Sequence, residues 1–320
     1  MLFYTEITFE SRSSMQIWAI GGGKGGTGKS FISSGLGVCL AEKGLRVVMV
    51  DADFGGANLH TYFAIPKPAR SFGEFVREGT PLNELVLETR IPGLSIVAGD
   101  LNSSGANPLT YGLKRKFFGQ LRKLDANVVL LDLGAGSHHK TLDVFLEADR
   151  MIVVTVPERM AIENLYVFIK SAFFRKLSPL FKKAGIQEEA KNIWKRRGDY
   201  NIRSMDEFTD YLSSHFPEFG QIFTETMQDF RVDIVLNKVR DYRQTETGFA
   251  IKSMAEKYLG IQASFYGHVR YDRDFWDRLF QDQACLSRVS AARLMVDMCR
   301  ITDLLTKDLE SLSSLSGSTE

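Results

Sequence analysis

The sequence predicts an α/β fold in which a mainly parallel, twisted sheet carries helices on both faces. Two observations predict this fold: short runs rich in β-branched residues alternate with amphipathic helical stretches, and these runs are apolar enough to be buried on both sides. The predicted strands lie near residues 16–20, 46–50, 94–98, 128–131, 151–156, 232–239 and 263–269. Functional groups are therefore expected in the loops that follow the strands, at their carboxyl ends.

Length and composition exclude several classes of protein. The chain has 320 residues, of which 44% are hydrophobic, enough to fill the core of one large domain or two smaller ones. Lysine and arginine number 40 against 39 acidic residues, so no global charge favours nucleic acid or an anionic membrane. The three cysteines form no C-x-x-C pair and are expected to be buried free thiols in a reducing compartment.

The first predicted strand is followed by the glycine-rich stretch GGGKGGTGKS, Gly21 to Ser30. Its glycines match the dinucleotide fingerprint G-x-G-x-x-G weakly, and a purely structural turn is a further alternative. They also match G-x-x-x-x-G-K-[ST], the more specific pattern, in which backbone N–H groups and a lysine bind phosphates and the hydroxyl binds Mg²⁺. A helix from Phe31 to Lys43, ended by Gly44, places its N-terminus at those phosphates. The predicted nucleotide contacts are Gly23, Lys24, Gly25, Gly26, Thr27, Gly28, Lys29, Ser30 and Phe31.

Carboxylates follow two of the other strands. Asp51 and Asp53 open the segment DADFGGANL, and Asp132 follows the apolar run before the flexible turn LGAG. Carboxylates at these points hold Mg²⁺, directly or through water, or orient a water for attack on the terminal phosphate. The metal ligands predicted are thus Ser30, Asp51 and Asp132. The alternatives are helix capping for the first two aspartates and an unrelated strand end for Asp132.

Asn237 follows the sixth of the predicted strands and is the candidate for the nucleotide base, because an amide offers both a donor and an acceptor. Capping of the next turn is the alternative. The loop Arg270 to Asp272, after the last strand, is expected to close over the base from the other side.

One segment, about 173–228, is too long for a simple crossover and is predicted to be a helical insertion. Residues 170–203 contain ten Lys/Arg against three acids, whereas residues 204–233 contain seven acids against one arginine. Two oppositely charged helical faces that neutralise each other would explain this. The alternative is a partner or nucleic-acid surface centred on Lys195, Arg196 and Arg197.

These motifs together resemble the MinD/ParA group of P-loop ATPases, which share a KGGxGK[ST] "deviant Walker A" loop, here Lys24 to Ser30. The resemblance covers about residues 16–172 and 229–305 and rests on this loop, DADFGGANL, LLDLGAG and IVLNKV. In detail the chain is most similar to the flagellar-number regulators FlhG or FleN and to MinD.

The resemblance implies ATP and Mg²⁺ as cofactors and assigns roles to five residues. Lys29 binds the β- and γ-phosphates, Ser30 holds Mg²⁺, Asp132 supports the metal, and Asp53 positions the attacking water. Lys24 reaches across a dimer interface to the partner's phosphates, so Lys24, Lys29 and Asp53 form the catalytic set. ATP would hold a homodimer that hydrolysis to ADP and phosphate releases, and a stimulating or cargo protein would set where the dimer acts.

The termini depart from the family pattern. Residues 1–14 are expected to form a short extension and do not resemble the glutamine-containing activating segment that flagellar regulators often carry, and the ATPase domain is expected over 15–310. The C-terminal stretch offers Ile301, Leu304, Leu305, Leu309 and Leu312 among acidic residues, which predicts packing on the core or on a partner and not on an anionic membrane. Residues 311–320 are expected to form a frayed tail. Without an 18-residue apolar run, the protein is expected to be cytoplasmic.

The sequence is compatible with three functions to different degrees. The first is an ATP-driven dimerisation switch that positions flagella, division or partition machinery. The second is an ATP-held dimeric module that binds DNA or a partner, with incidental hydrolysis. The third, an iron–sulfur scaffold, needs paired cysteines that the sequence lacks. A related GTPase is a further alternative, suggested by Asn237-Lys238, but Lys24 favours ATP.

Overall fold

The computed structural model describes residues 15–53, 56–100, 110–228, 230–273, 275 and 293–316. Its centre is an eight-stranded sheet in the order β3-β4-β2-β5-β1-β6-β7-β8. The strands are β1 Gln16–Gly21, β2 Val47–Ala52, β3 Leu87–Glu88, β4 Leu94–Val97, β5 Val128–Leu133, β6 Arg150–Thr155, β7 Arg231–Val239 and β8 Gln262–Arg270. All seven predicted strands are present, and the prediction of a mainly parallel α/β fold is confirmed.

The sequence did not predict β3, the edge strand that pairs antiparallel with β4. Its two residues are too few to give a periodic pattern. The remaining neighbours are parallel, and β1 lies between β5 and β6. The loop after β1 is therefore flanked by the loops after β5 and β6.

Helices cover both faces of the sheet. They are α1 Lys29–Glu42, α2 Phe72–Arg77, α3 Tyr111–Leu121, α4 His139–Phe145, α5 Arg159–Lys183, α6 Gln187–Lys195, α7 Met205–His215, α8 Pro217–Gln228, α9 Glu246–Leu259 and, after the undescribed residues, α10 Arg293–Ser316. The α1 helix ends as predicted, with Gly44 at φ 83° supplying the left-handed residue after it.

Two apolar cores result, one on each face. Phe117, Phe145 and Phe168, from α3, α4 and α5, belong to one core. Trp18 and Met49, from β1 and β2, belong to the other, which α1 and α10 cover. Strands buried on both faces explain why the sequence shows continuous apolar runs instead of alternation.

The predicted insertion is helical, but its first part continues an existing helix. The α5 helix runs for 25 residues and carries α6, α7 and α8 on its second half. Aromatic rings fill the space between them: Phe174 contacts Trp194, and both contact Phe208. This aromatic cluster packs α6 and α7 against the second half of α5.

Some charges of the insertion form local ion pairs. In the described part of the basic half, Lys191 pairs with Glu188 and Arg196 pairs with Asp199, each three residues away. Neutralisation across two oppositely charged faces stays a prediction, and the two described pairs are local. The reason is geometric, because residues three apart on a helix or turn are neighbours already.

The last helix, α10, packs on the core as predicted. Met298, Ile301 and Leu305 are buried on the face that α1 and α10 share, whereas Leu304 is exposed. The side chains of Leu309 and Leu312 lie outside the described residues. The helix continues to Ser316, so residues 311–316, which were expected to belong to a frayed tail, are helical, and residues 317–320 lie outside the described residues. Among the helices of the described residues, we find none with the length and apolar character needed to cross a membrane.

The prediction of free thiols is wrong for two of the three cysteines. Cys39 of α1 and Cys299 of α10 form a disulfide, with their Cα atoms 5.3 Å apart. Only the packing of two helices distant in sequence brings these residues together, so spacing along the chain gave no signal. Cys285 lies outside the described residues.

A buried ion pair joins the second half of the sheet. Arg150 of β6 lies 3.3 Å from the Asp233 carboxylate of β7, and both side chains are almost fully buried. Arg150 also donates to the carbonyl oxygen of Leu305 and lies over the rings of Trp18 and Tyr266. Arg150 therefore connects α10 to the sheet through its bond to Leu305.

Candidate nucleotide-binding site

The glycine-rich stretch forms the loop between β1 and α1, as the motif predicted. Gly28 has φ 90° and is the N-cap of α1, which begins at Lys29. A helix N-terminus presents unpaired backbone N–H groups and a partial positive charge, which suits phosphate. The described first turn contains no acidic residue to compete for that position.

Two glycines of the loop are required by close approach. A Cβ on Gly23 would overlap the carbonyl oxygen of Asn164 in α5. A Cβ on Gly28 would overlap the amide nitrogen of Asn237, and its positive φ disfavours other residues as well. The loop is therefore held between α5 on one side and the end of β7 on the other.

The end of β7 is joined to the loop by hydrogen bonds. The Asn237 amide donates to the carbonyl oxygen of Thr27 at 2.9 Å, and its own oxygen accepts from the Lys238 N–H at 2.8 Å. Lys238, with φ 56°, donates from Nζ to the carbonyl oxygen of Gly26 at 2.8 Å. Asn237 thus positions the loop in this structure, and its contact with a base stays a prediction.

The two lysines of the loop differ in burial and direction. Lys29 is buried, and its Nζ lies 3.4 Å from the carbonyl oxygen of Lys24, inside the loop. Burial lowers the pKa of Lys29, while the charges of Asp132 and Asp53 act against that shift. The Lys24 side chain is 40% exposed, and its Nζ lies 3.9 Å from the Glu158 carboxylate in the loop after β6.

The predicted metal ligands lie side by side. Asp51 and Asp132 are register partners at the ends of β2 and β5. Asp51 accepts hydrogen bonds from the backbone N–H groups of Leu59 at 3.0 Å and of Asp53 at 3.2 Å. In this structure Asp51 therefore orders the backbone of the segment that follows β2, a role similar to the helix capping that the sequence left open. Its role as a metal ligand stays a prediction.

Asp132 fits a cation better than any other group of the site. Its Oδ1 is buried without a hydrogen-bond partner, and the Ser30 hydroxyl bonds to its carboxylate. Burial, followed by the nearby charge of Asp51, raises the pKa of Asp132 to about 8. Burial also raises the pKa of Asp51 to about 6. Two adjacent carboxylates that resist ionisation are the environment that Mg²⁺ would stabilise, so the donor set fits this metal.

Asp53 lies against the turn after β5. A Cβ on Gly134 would meet the Asp53 Oδ1 at 2.7 Å, so the carboxylate occupies the space that glycine leaves open. The same turn touches the phosphate-binding loop, because the Gly136 N–H donates to the carbonyl oxygen of Gly22 at 3.1 Å. Asp53 and the turn therefore lie beside the loop, and the role of Asp53 in positioning a water stays a prediction.

Two further predictions have a different outcome. The Phe31 side chain is buried in the core, with its ring centroid 5.6 Å from that of Phe275, so any ligand contact falls to its main chain. Arg270 binds Asp297 of α10 through two nitrogens, at 2.8 and 2.9 Å. This pair anchors the end of β8 to α10, and closure of residues 270–272 over a base stays a prediction.

Glu158 and Lys238 are contacts that the sequence did not predict. Glu158 follows β6, and the loop follows β1. These two strands are neighbours in the sheet but not in the sequence, so only the strand order shows that Glu158 lies near the loop. Lys238 was visible as the residue after Asn237, but its bond to the loop depends on a left-handed backbone that a lysine rarely adopts.

A phosphate-binding loop before a helix N-terminus, with carboxylates after the neighbouring parallel strands, defines a P-loop nucleotide-binding protein. The family model described as the CobQ/CobB/MinD/ParA nucleotide binding domain matches residues 18–284. The chain belongs to this family.

Curated relatives resemble the chain over different lengths. The flagellum site-determining protein YlxH of Helicobacter pylori is 33% identical over 168 residues, which are 51% of this chain and 55% of that protein. The antiactivator FleN of Pseudomonas aeruginosa is 25% identical over 292 residues, 87% of this chain and 98% of FleN. The chain thus spans about half of the first relative and almost all of the second.

Solved structures of low identity share the fold. The cell division ATPase MinD of Pyrococcus furiosus has a TM-score of 0.59 at 16% identity and covers 91% of this chain and 98% of its own. A MinD of Pyrococcus horikoshii complexed with Mg-ADP has a TM-score of 0.58 at 17% identity, with 91% and 96% covered. A ParA family ATPase of Chlorobium tepidum has a TM-score of 0.61 at 15% identity, with 91% and 98% covered.

Proposed function

We propose that the protein is an ATPase that dimerises when it holds ATP and that acts as a switch in positioning cellular machinery. The proposal rests on the divergence of the two loop lysines. Lys29 is buried in its own loop, whereas Lys24 reaches out of the loop to Glu158, which is exposed. A lysine at the mouth of a phosphate site is placed to neutralise phosphate on a second subunit.

The ion pair between Lys24 and Glu158 supports this role because it is weak. Its partners are 3.9 Å apart, with side-chain exposures of 40% and 66%, and such pairs contribute less than about 1 kcal/mol. The pair holds Lys24 near the loop mouth at little cost in free energy. A partner's triphosphate, which carries more charge, would displace Glu158.

For hydrolysis, the described residues suggest a division of work. Lys29 and the N-terminus of α1 hold the phosphates, and Asp53 orients a water beside the turn that contains Gly134. Ser30 and Asp132, with Asp51 adjacent, would hold Mg²⁺. The metal supplies charge neutralisation between the phosphates and these carboxylates.

The proposed cellular output follows from the relatives. YlxH is a flagellum site-determining protein, FleN is an antiactivator, and several further relatives are septum site-determining MinD proteins. A MinD of Aquifex aeolicus forms a complex with MinC. We infer that the ATP-bound dimer determines where cellular machinery is placed. A partner protein in the cytoplasm would bind this dimer or stimulate its ATPase activity.

The experiment measures molar mass by light scattering after gel filtration, with ATP and with ADP. The variant Asp53→Ala slows hydrolysis and preserves the ATP state. We expect a dimer with ATP and a monomer with ADP. Lys24→Ala should remain monomeric with ATP while it still binds nucleotide.

The matched control is Lys123→Ala, which removes an exposed lysine between α3 and the amino end of β5, whereas the phosphate-binding loop follows the carboxyl end of β1. It should dimerise like the parent. A monomer that holds ATP in the Asp53→Ala protein would refute the dimerisation proposal, and a Lys24→Ala dimer would refute the role of that lysine.

A further inference from the structure

The seam between α1 and α10 contains a chemical feature that the nucleotide site does not use. We propose that Cys39 and Cys299 form a reversible thiol–disulfide modification site, which fastens α10 to the helix that begins at the phosphate-binding loop. The two residues are 260 positions apart, yet their Cα atoms are 5.3 Å apart, within the range that disulfides span.

The surrounding contacts fix this placement. A Cβ on Gly35 of α1 would overlap the sulfur of Met298, so the two helices approach closely one residue away from Cys299. Lys43, after α1, pairs with Asp303 of α10 at 2.5 Å. Because close packing lies on one side of the sulfurs and an ion pair on the other, the seam keeps the cysteines opposed in either redox state.

The burial of the two sulfurs sets the order of the chemistry. Cys39 is 1% exposed, whereas Cys299 is half-buried. The Cys299 thiolate would attack a low-molecular-weight disulfide, form a mixed disulfide and release one thiol. The Cys39 thiolate would then displace the second thiol. The protein loses two protons and two electrons, and the small disulfide is reduced to two thiols.

In the reduced state, the thiol of Cys39 would have a hydrogen-bond acceptor nearby. The Cys39 sulfur lies 4.0 Å from the carbonyl oxygen of Met295, an acceptor for a thiol S–H. Disulfides in reducing compartments are usually transient and redox-sensing. A half-buried cysteine beside a buried resolving cysteine suits reversible exchange more than a permanent cross-link.

A metal ion is the competing occupant. The Glu42 carboxylate and the two sulfurs lie within 4.8 Å of one another. Closed structural zinc sites use four protein ligands, and the described residues supply three here. The disulfide is therefore the favoured state, and bound zinc is one outcome of the test.

The modification would restrain the nucleotide site through two connections. The α1 helix begins at Lys29 and Ser30, and α10 carries Asp297, which binds Arg270 at the end of β8. Fastening the two helices would thus limit movement of α1, which begins at the loop, and of the end of β8. This inference concerns the fold and does not depend on dimerisation or hydrolysis.

The first test counts thiols in the full-length protein after equilibration with defined ratios of reduced and oxidised glutathione. Under denaturing conditions we expect three thiols after reduction and one after oxidation, and peptide mapping should join Cys39 to Cys299. Cys285→Ser should still form the bond, whereas Cys299→Ser should not. Three thiols at every ratio, a bond through Cys285, or stoichiometric zinc with free thiols would overturn the proposal.

The second test measures thermal unfolding and amide exchange in both redox states. Because the bond closes a loop of about the whole domain, oxidation should raise the midpoint by roughly 5–10 °C and slow exchange in α10. Cys299→Ser changes a half-buried residue and should fold, with a midpoint that no longer responds to glutathione. Equal midpoints and equal exchange in the two states of the unchanged protein would refute the fastening.

Discussion

The side-chain amide of Asn237 donates a hydrogen bond to the carbonyl oxygen of Thr27, 2.9 Å away, and joins the end of β7 to the phosphate-binding loop. Both side chains are almost fully buried. The carbonyl oxygen of Thr27 is therefore shielded from water in this structure, and its bond to Asn237 satisfies it. This bond explains why Gly28, whose Cβ would overlap the same amide, follows Thr27.

Removal of that amide should weaken the loop. Asn237→Ala leaves the Thr27 carbonyl without this partner, which should lower the free energy of unfolding by about 1–3 kcal/mol and reduce nucleotide affinity. Urea unfolding and titration with a fluorescent nucleotide measure the two effects. Asn192→Ala, on the exposed surface of α6, is the control and should change neither. Unchanged stability in Asn237→Ala would show that the bond contributes nothing.

The buried pair of Arg150 and Asp233 should matter far more than a surface pair. Asp233→Ala leaves a buried arginine without its carboxylate and should lower the free energy of unfolding by about 3–5 kcal/mol. Glu163→Ala removes the partner of Arg159 on the surface of α5, where the Arg159 side chain is 92% exposed and the Glu163 side chain 60% exposed. This change should lower the free energy of unfolding by less than about 1 kcal/mol. Urea denaturation measures the free energy of unfolding of both variants. Similar decreases in Asp233→Ala and Glu163→Ala would show that burial does not strengthen the Arg150–Asp233 pair.

Asp132 should destabilise the nucleotide-free protein and stabilise the protein that holds Mg²⁺ and nucleotide. Its pKa is raised to about 8 mainly by burial, so the fold disfavours the charged carboxylate. Asp132→Asn keeps an acceptor for the Ser30 hydroxyl and removes that charge. We expect a higher unfolding midpoint without ligand and a smaller gain on adding Mg²⁺ with nucleotide.

Thermal unfolding with and without Mg²⁺ checks this expectation. The control is Asp125→Asn, because Asp125 is 89% exposed and pairs with Arg46 away from the loop. That variant should respond to Mg²⁺ and nucleotide like the parent. A full Mg²⁺ response in Asp132→Asn would remove Asp132 from the metal site.

The basic stretch of the insertion should bind DNA weakly. Arg196 pairs with Asp199, and the Arg197 guanidinium lies over the Trp194 ring, 5.0 Å from its centroid. Joint replacement of Lys195, Arg196 and Arg197 by alanine should therefore change DNA retention little at any salt concentration. Filter retention against salt is the measurement. A steep salt dependence that the triple variant abolishes would instead establish a nucleic-acid surface.

Much of the fold and the loop could be predicted from sequence because the signals are local. A strand buried on both faces is a continuous apolar run, and a phosphate-binding loop needs glycines and a lysine at fixed spacing. The segments around Gly23 to Ser30, Asp53 and Asp132 were found in this way. Parallel strands then bring their following loops to one edge, so the proximity of these residues follows from topology alone.

The remaining contacts required the tertiary structure because their partners are distant in sequence. The hydrogen bond from Asn237 to the carbonyl oxygen of Thr27, 210 residues earlier, had no signal in the sequence, and the expected contact of Asn237 with a base stays a prediction. Cys39 and Cys299 were expected to be free, yet helix packing opposes them across 260 residues. The charges of the insertion drew attention in the sequence, whereas its aromatic cluster of Phe174, Trp194 and Phe208 became evident only from the packing of the helices.

The sequence by itself thus determined the α/β fold, the phosphate-binding loop and the family resemblance, since each depends on short-range pattern and spacing. Only the tertiary structure decided which way each loop lysine extends, what anchors the loop to β7, and how α10 is fastened to α1. Those features depend on strand order and helix packing, where side chains from distant parts of the chain compete for the same space.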